Sequence, residues 1–153
     1  MPELLENLSF SLKRATRIIL TITMALAALV VVLQMVIVAF FPYSIDYGEG
    51  PLLDQAVRIA EGDPIYTIDI HEPPYVITNY PPVFIGLMSL FNSRESSSLL
   101  PGRLISMVST LGVAAFIFLI VYENNQDKLA SFLAATLYLI FPYAFQWGGF
   151  MRV

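Results

Sequence analysis

Residues 18–41 carry no charged side chain over 24 consecutive positions. At about 1.5 Å per residue, a helix of that length crosses a hydrocarbon core of about 30 Å with some tilt to spare. Two later runs, 104–122 and 129–147, are also uncharged and close to the minimum length for a span. The polar turn between them, Glu123-Asn124-Asn125-Gln126-Asp127-Lys128, is short enough to force an antiparallel hairpin. With 57% apolar and 13% charged residues, the chain has too little polar surface for a water-facing globule. The expected fold is an all-α integral membrane protein: a single membrane domain over 1–153 with three transmembrane helices, 18–41, 104–122 and 129–147.

Lys13, Arg14 and Arg17 precede the first span, and basic flanks favour the cytoplasmic side. Residues 1–17 are therefore expected in the cytoplasm and 42–102 outside, in a multi-pass protein of the plasma membrane. The first span reads as a retained anchor, being long for a signal peptide and lacking a small-residue cleavage site before the next loop. The run 82–91 is apolar for only ten residues, about 15 Å of helix, which predicts a re-entrant or interfacial helix. A fourth short span is the alternative. Within the outer loop, 51–61 reads as a juxtamembrane amphipathic helix. Leu52, Leu53, Ala56, Val57 and Ala60 fall on one face, and Asp54, Gln55, Arg58 and Glu61 on the other. Pro51 lies in its first turn and Gly62 just past its end. Pro64, Pro73, Pro74, Pro81 and Pro82 then discourage regular structure over 64–82.

Seven of the twelve acidic residues, Asp46, Glu49, Asp54, Glu61, Asp63, Asp69 and Glu72, fall in one stretch of this loop that carries a single basic residue, Arg58, so the net charge of −4 belongs to the loop. Scattered basic residues exclude a nucleic-acid interface. The absence of cysteine excludes disulfides, thiolate metal sites and cysteine nucleophiles. Asp46 and Glu49 lie just beyond the first span, at the membrane surface. A carboxylate there, partly desolvated by Tyr47 and the apolar helices, can act as a base or help bind a divalent cation. A solvated acidic loop is the plainer reading. Tyr80, in Thr78-Asn79-Tyr80-Pro81-Pro82, is either part of a substrate site or an interfacial anchor. Arg103 at a helix start opposes the helix dipole, which points to an anionic partner such as a lipid phosphate or to snorkelling. His71, the only histidine, makes a poor metal site by itself, so no metal is expected from it. Gln34, the lone amide in the first span, suits an interhelical hydrogen bond. Asn7-Leu8-Ser9 matches a glycosylation acceptor on the expected cytoplasmic side, where it is irrelevant. Glycine-rich phosphate loops, paired-histidine zinc motifs and nucleophile elbows are missing.

The order of features resembles the N-terminal part of polytopic glycosyltransferases of the GT-C superfamily, which includes protein mannosyltransferases and aminoarabinose transferases. The resemblance rests on a basic N-terminus, one span, Asp46-Tyr47-Gly48-Glu49-Gly50, Arg58-Ile59-Ala60-Glu61-Gly62, Ile65-Tyr66, Pro73-Pro74-Tyr75, Asn79-Tyr80-Pro81-Pro82 and Gly102-Arg103-Leu104-Ile105-Ser106. It implies transfer of a sugar from a polyprenyl-phosphate donor to an acceptor on the outer face of the membrane, with membrane lipids as further partners. By that likeness Asp46 or Glu49 is the catalytic base, and Arg58, Tyr80 and Arg103 are candidates for holding substrate or lipid phosphate. Members of this superfamily usually carry more spans, and relatives show a second acidic residue close to where this chain stops. An incomplete copy, inactive by itself, is the expectation.

A different class remains open: a small non-catalytic membrane protein whose acidic outer loop binds a partner or cation. A transporter is disfavoured, since the expected spans contain no ionisable side chain.

Overall fold

The computed structural model describes residues 2–66, 71, 75 and 77–152. Expectations on Asp69, Glu72, Pro73, Pro74 and the Asn7 side chain lie outside the described residues. Among those described, the chain is all helical: α1 (Pro2–Phe40), α2 (Glu49–Glu61), α3 (Pro82–Ser89), α4 (Leu100–Asn125), α5 (Lys128–Ile140) and α6 (Pro142–Trp147). Two compact units form, one from Met1–Gln34 and Thr110–Gln146, the other from Met35–Ser109 and Trp147–Val153. Helices α1 and α4 each lend residues to both.

Two helices are long and apolar enough to cross a membrane, Ser9–Phe40 within α1 and Leu100–Asn125. Only 17% and 6% of their most apolar stretches are buried by protein, so neither behaves as the core helix of a globule. The expected third span over 129–147 is not one helix. It divides at Phe141, which is extended (φ −59°, ψ 134°) because the proline that follows disfavours helical backbone. The 13 residues of α5 reach about 20 Å, short of a full hydrocarbon core.

In the first unit, Asp127 caps α5 by accepting the N–H groups of Leu129 (2.8 Å) and Ala130 (3.3 Å), closing the turn that Gln126 enters at φ 54°. Ser131 and Thr136, both buried, return their hydroxyls to carbonyls four residues back. The Gln34 amide donates to the Phe145 carbonyl at 3.4 Å, which supplies a partner for that polar group on α6.

In the second unit, α2 starts two residues before the expected Pro51, at Glu49, and ends as expected at Gly62. Gly62 takes the left-handed conformation (φ 81°), and its own N–H and that of Asp63 close onto Ile59 and Arg58 carbonyls. The buried stripe of α2 is Glu49, Leu52, Gln55 and Ala56. It is rotated from the expected one, with Ala60 exposed and Gln55 inside. Helix α3 has eight residues, about 12 Å, and buries Ile85 and Met88 against α2. Leu52, Ala56, Ile65, Ile85, Met88, Leu99 and Met151 form the core of this unit, with Leu53, Ile59, Tyr80, Phe84 and Ile105 packed around it.

Candidate functional site

Asp46 sits in the short connection between α1 and α2, and its backbone carbonyl accepts the Glu49 N–H (3.2 Å) to start α2. Ser44 donates its hydroxyl to the same carbonyl (2.7 Å). The Asp46 Oδ2 accepts the Gly48 N–H at 3.0 Å, a local turn of the kind aspartate favours. A Cβ at Gly48 would lie 3.0 Å from that Oδ2, so a larger residue there crowds the carboxylate.

The partner of Asp46 is Arg152, 106 positions away in sequence. One nitrogen, Nη2, donates to both Asp46 oxygens at 2.8 Å. The Arg152 guanidinium carbon lies 4.1 Å from the Trp147 ring centroid and 5.4 Å from that of Tyr47, within cation–π reach of both. Trp147 in turn meets Phe150 edge to face. The hydrogen bond to Asp46 outweighs burial and raises the Arg152 pKa above its ordinary value. Its Nε is buried and makes no hydrogen bond.

Glu49 and Arg103 are completely buried, each 0% exposed, and paired face to face. Arg103 Nε donates to Glu49 Oε1 (2.8 Å) and Nη2 to Oε2 (2.7 Å), the bidentate geometry that guanidinium favours with carboxylate. Its other donors reach the carbonyls of Val38 (2.8 Å), Phe41 (2.5 Å) and Tyr43 (2.8 Å). All five N–H donors of the side chain are thereby used. The carbonyls at the end of α1 lack helical partners, and a cation there meets the negative end of the helix dipole. Burial alone pushes the Glu49 pKa up, but hydrogen bonds from Arg103, Ile45 and Met151 together with the Arg103 charge bring it below the usual carboxylate value.

Two expectations change. Arg103 does have the anionic partner its awkward place at a helix start calls for, but that partner is Glu49, and no donor is left for a lipid phosphate. Glu49 is inaccessible, with both oxygens taken by Arg103 and by backbone N–H groups. Asp46 is also buried, at 9% exposure, with its carboxylate held by Arg152.

Arg58 forms an i,i+4 ion pair with Asp54 (3.0 Å) on the outer face of α2. It lies nine residues along that helix from Glu49, about 13 Å on the axis. Tyr80 packs beside the apolar core, and its carbonyl accepts the Tyr66 hydroxyl at 2.5 Å. Asp46 and Glu49 are thus brought together with Arg103 and Arg152, whereas Arg58 and Tyr80 make no described contact with them. Arg152 and Trp147 are the members that sequence reading missed. The one available signal was a lone arginine following an aromatic and glycine-rich stretch, 146–151, which nothing nearby explains.

Charge pairing extends to the exposed acids of the loop. Asp63 pairs with Arg94 (2.9 Å), and Glu61 accepts the Arg94 N–H (3.2 Å). With the pairs above, each of the five described acids of the stretch 46–72 has a partner. Among the described residues, no three His, Asp or Glu side chains converge to hold a metal ion. Comparison of the chain with protein-family models, with curated proteins and with solved structures finds no match.

Proposed function

We propose that the protein belongs to a membrane glycosyltransferase system, in which Asp46 activates an acceptor hydroxyl for attack on a polyprenyl-phosphate-linked sugar. One observation carries the reading. A buried carboxylate paired with a partly exposed arginine that lies between Tyr47 and Trp147 follows within six residues of the end of a membrane-length helix. The motif order in the sequence supports it as a resemblance.

In this scheme the acceptor O–H gives its proton to an Asp46 oxygen as the acceptor oxygen bonds to the anomeric carbon. The anomeric carbon–oxygen bond breaks, and its electron pair leaves on the lipid phosphate. Arg152, the cation at hand, faces that growing negative charge, and fixed complementary charge of this kind lowers the barrier. Aromatic rings beside it suit the apolar face of a sugar or the lipid interface. A cytoplasmic N-terminus and an outward first loop belong to the same proposal, supported by Lys13, Arg14 and Arg17 before the first span; a third span in it is the broken pair α5 and α6 taken together, not one helix.

Asp46→Asn in the full-length protein is expected to lower sugar transfer from a polyprenyl-phosphate donor by about 10² or more, the range for loss of a general base. Unchanged transfer by this variant, at equal membrane abundance, removes the proposal. The cation-binding alternative is weakened because the described acids of the stretch 46–72 are already engaged by arginines or by a backbone N–H.

A further inference from the structure

Asp46 and Arg152 both lie on backbone outside the helices, in the connection before α2 and in the turn after α6. Neither segment has a helical or sheet ladder of its own to fix it. Their positions come instead from one buried carboxylate. Glu49 Oε2 accepts the N–H of Ile45 (3.0 Å) and, at longer range, that of Asp46 (3.5 Å). Glu49 Oε1 accepts the N–H of Met151 (3.1 Å), the residue before Arg152. The two reacting side chains therefore hang from opposite oxygens of the same group. Its orientation is locked by the bidentate bonds from Arg103, and Arg103 is anchored to the carbonyls of Val38, Phe41 and Tyr43.

Two glycines seat the second segment. A Cβ on Gly102 would lie 2.5 Å from Met151 Cγ and Sδ, and one on Gly149 would lie 3.0 Å from the Met35 Cα. The turn carrying Arg152 thus packs closely against the start of α4 and the end of α1.

We infer that Glu49 and Arg103 are positioning residues that set the separation of Asp46 and Arg152, and that they do not themselves touch substrate. The inference rests on the proposed role of Asp46 for calling that pair reactive, but its geometry has an independent reporter. Trp147 is the only tryptophan in the chain, and the Arg152 guanidinium lies on its ring at 4.1 Å. Its fluorescence and its quenching by acrylamide report where Arg152 is seated.

In lipid nanodiscs, Arg152→Gln defines the signal of an empty seat. Glu49→Gln is expected to reproduce at least half of that change with helical circular dichroism intact, because the amide presents N–H to Arg103 and gives up one of its acceptor oxygens. Asp54→Asn, an exposed acid on the same helix, leaves the signal at wild type. A wild-type Trp147 signal in folded Glu49→Gln overturns the inference, as does a silent Arg152→Gln. Where Glu49→Gln loses helicity, the pair Glu49→Gln with Arg103→Gln removes the stranded charge, and the same criterion applies to it. Glu49→Asp, which keeps the charge, recovers part of the wild-type signal. Sugar transfer is read separately: full activity in Asp46→Asn ends the catalytic reading and leaves the Trp147 result standing.

Discussion

The two compact units of the chain are held by different forces. Among the described residues, the unit of residues 35–109 with 147–153 has its own apolar core and four arginine–carboxylate pairs, one of them fully buried. In the unit of residues 1–34 with 110–146, large side chains such as Ile19, Leu29, Val30, Phe116 and Leu119 stand more than half exposed. Its polar contacts are mostly local, within a turn of helix or at the Asp127 cap. Water is a poor solvent for such a surface, and hydrocarbon is a good one. The contrast separates a part ordered by an apolar core and ion pairs from a part ordered mainly by local helical contacts; exposed apolar faces that match lipid occur in both, as at Ile37, Phe40, Leu90 and Val108.

Substitutions that strand a charge in the polar unit should have the largest effect. Arg103→Met leaves Glu49 buried without its cation and is expected to cost about 3–5 kcal/mol, measured by denaturant unfolding in mixed micelles. Adding Glu49→Leu should restore most of that loss, because the unpaired charge is then gone. A loss below about 1 kcal/mol for the single variant would erase the contrast between the units.

Overpacking comes next. Gly102→Ala places a methyl group against Met151 and Met88, and a cost of about 1–3 kcal/mol is expected by the same measurement. Its further signature is a change in the Trp147 environment, since Met151 adjoins Arg152.

Acid should act on the same unit. The folded pKa of Glu49 lies below its ordinary value of 4.5, so its contribution is present above that pH and is lost as pH falls through the lower folded value. Thermal midpoints followed by Trp147 should therefore hold from neutral pH to about 4.5 and drop below it. Glu49→Gln should lack this acid limb.

The smallest effect belongs to the other unit. Phe116→Leu, at a position 67% exposed, should change stability by less than about 0.5 kcal/mol while preserving membrane insertion. A cost of 2 kcal/mol or more would mean that protein, and not lipid, covers this face.

Local features were readable in the chain. The uncharged runs located both membrane-length helices, and Gly62 marked the end of α2. Where reading failed, a neighbour or a distant residue decided. Pro142 split the third apolar run, and Gln55 turned inward because the face of α2 is set by what packs on it. For the site, Asp46 and Glu49 looked equivalent in sequence, three residues apart in the same acidic stretch. The fold separates them by giving each its own arginine, one buried with every donor used and one partly open beside two aromatic rings.

Composition and spacing determined helix, span length and caps, since these depend on contacts within about four residues and on transfer of side chains out of water. Only the tertiary structure decided which arginine each carboxylate meets, and that Glu49 is sealed completely while Asp46 keeps 9% exposure. The pairs Glu49 with Arg103 and Asp46 with Arg152 join residues 54 and 106 positions apart. The strength of such a pair depends on burial and on the hydrogen bonds around it, which exist only once distant segments have closed together.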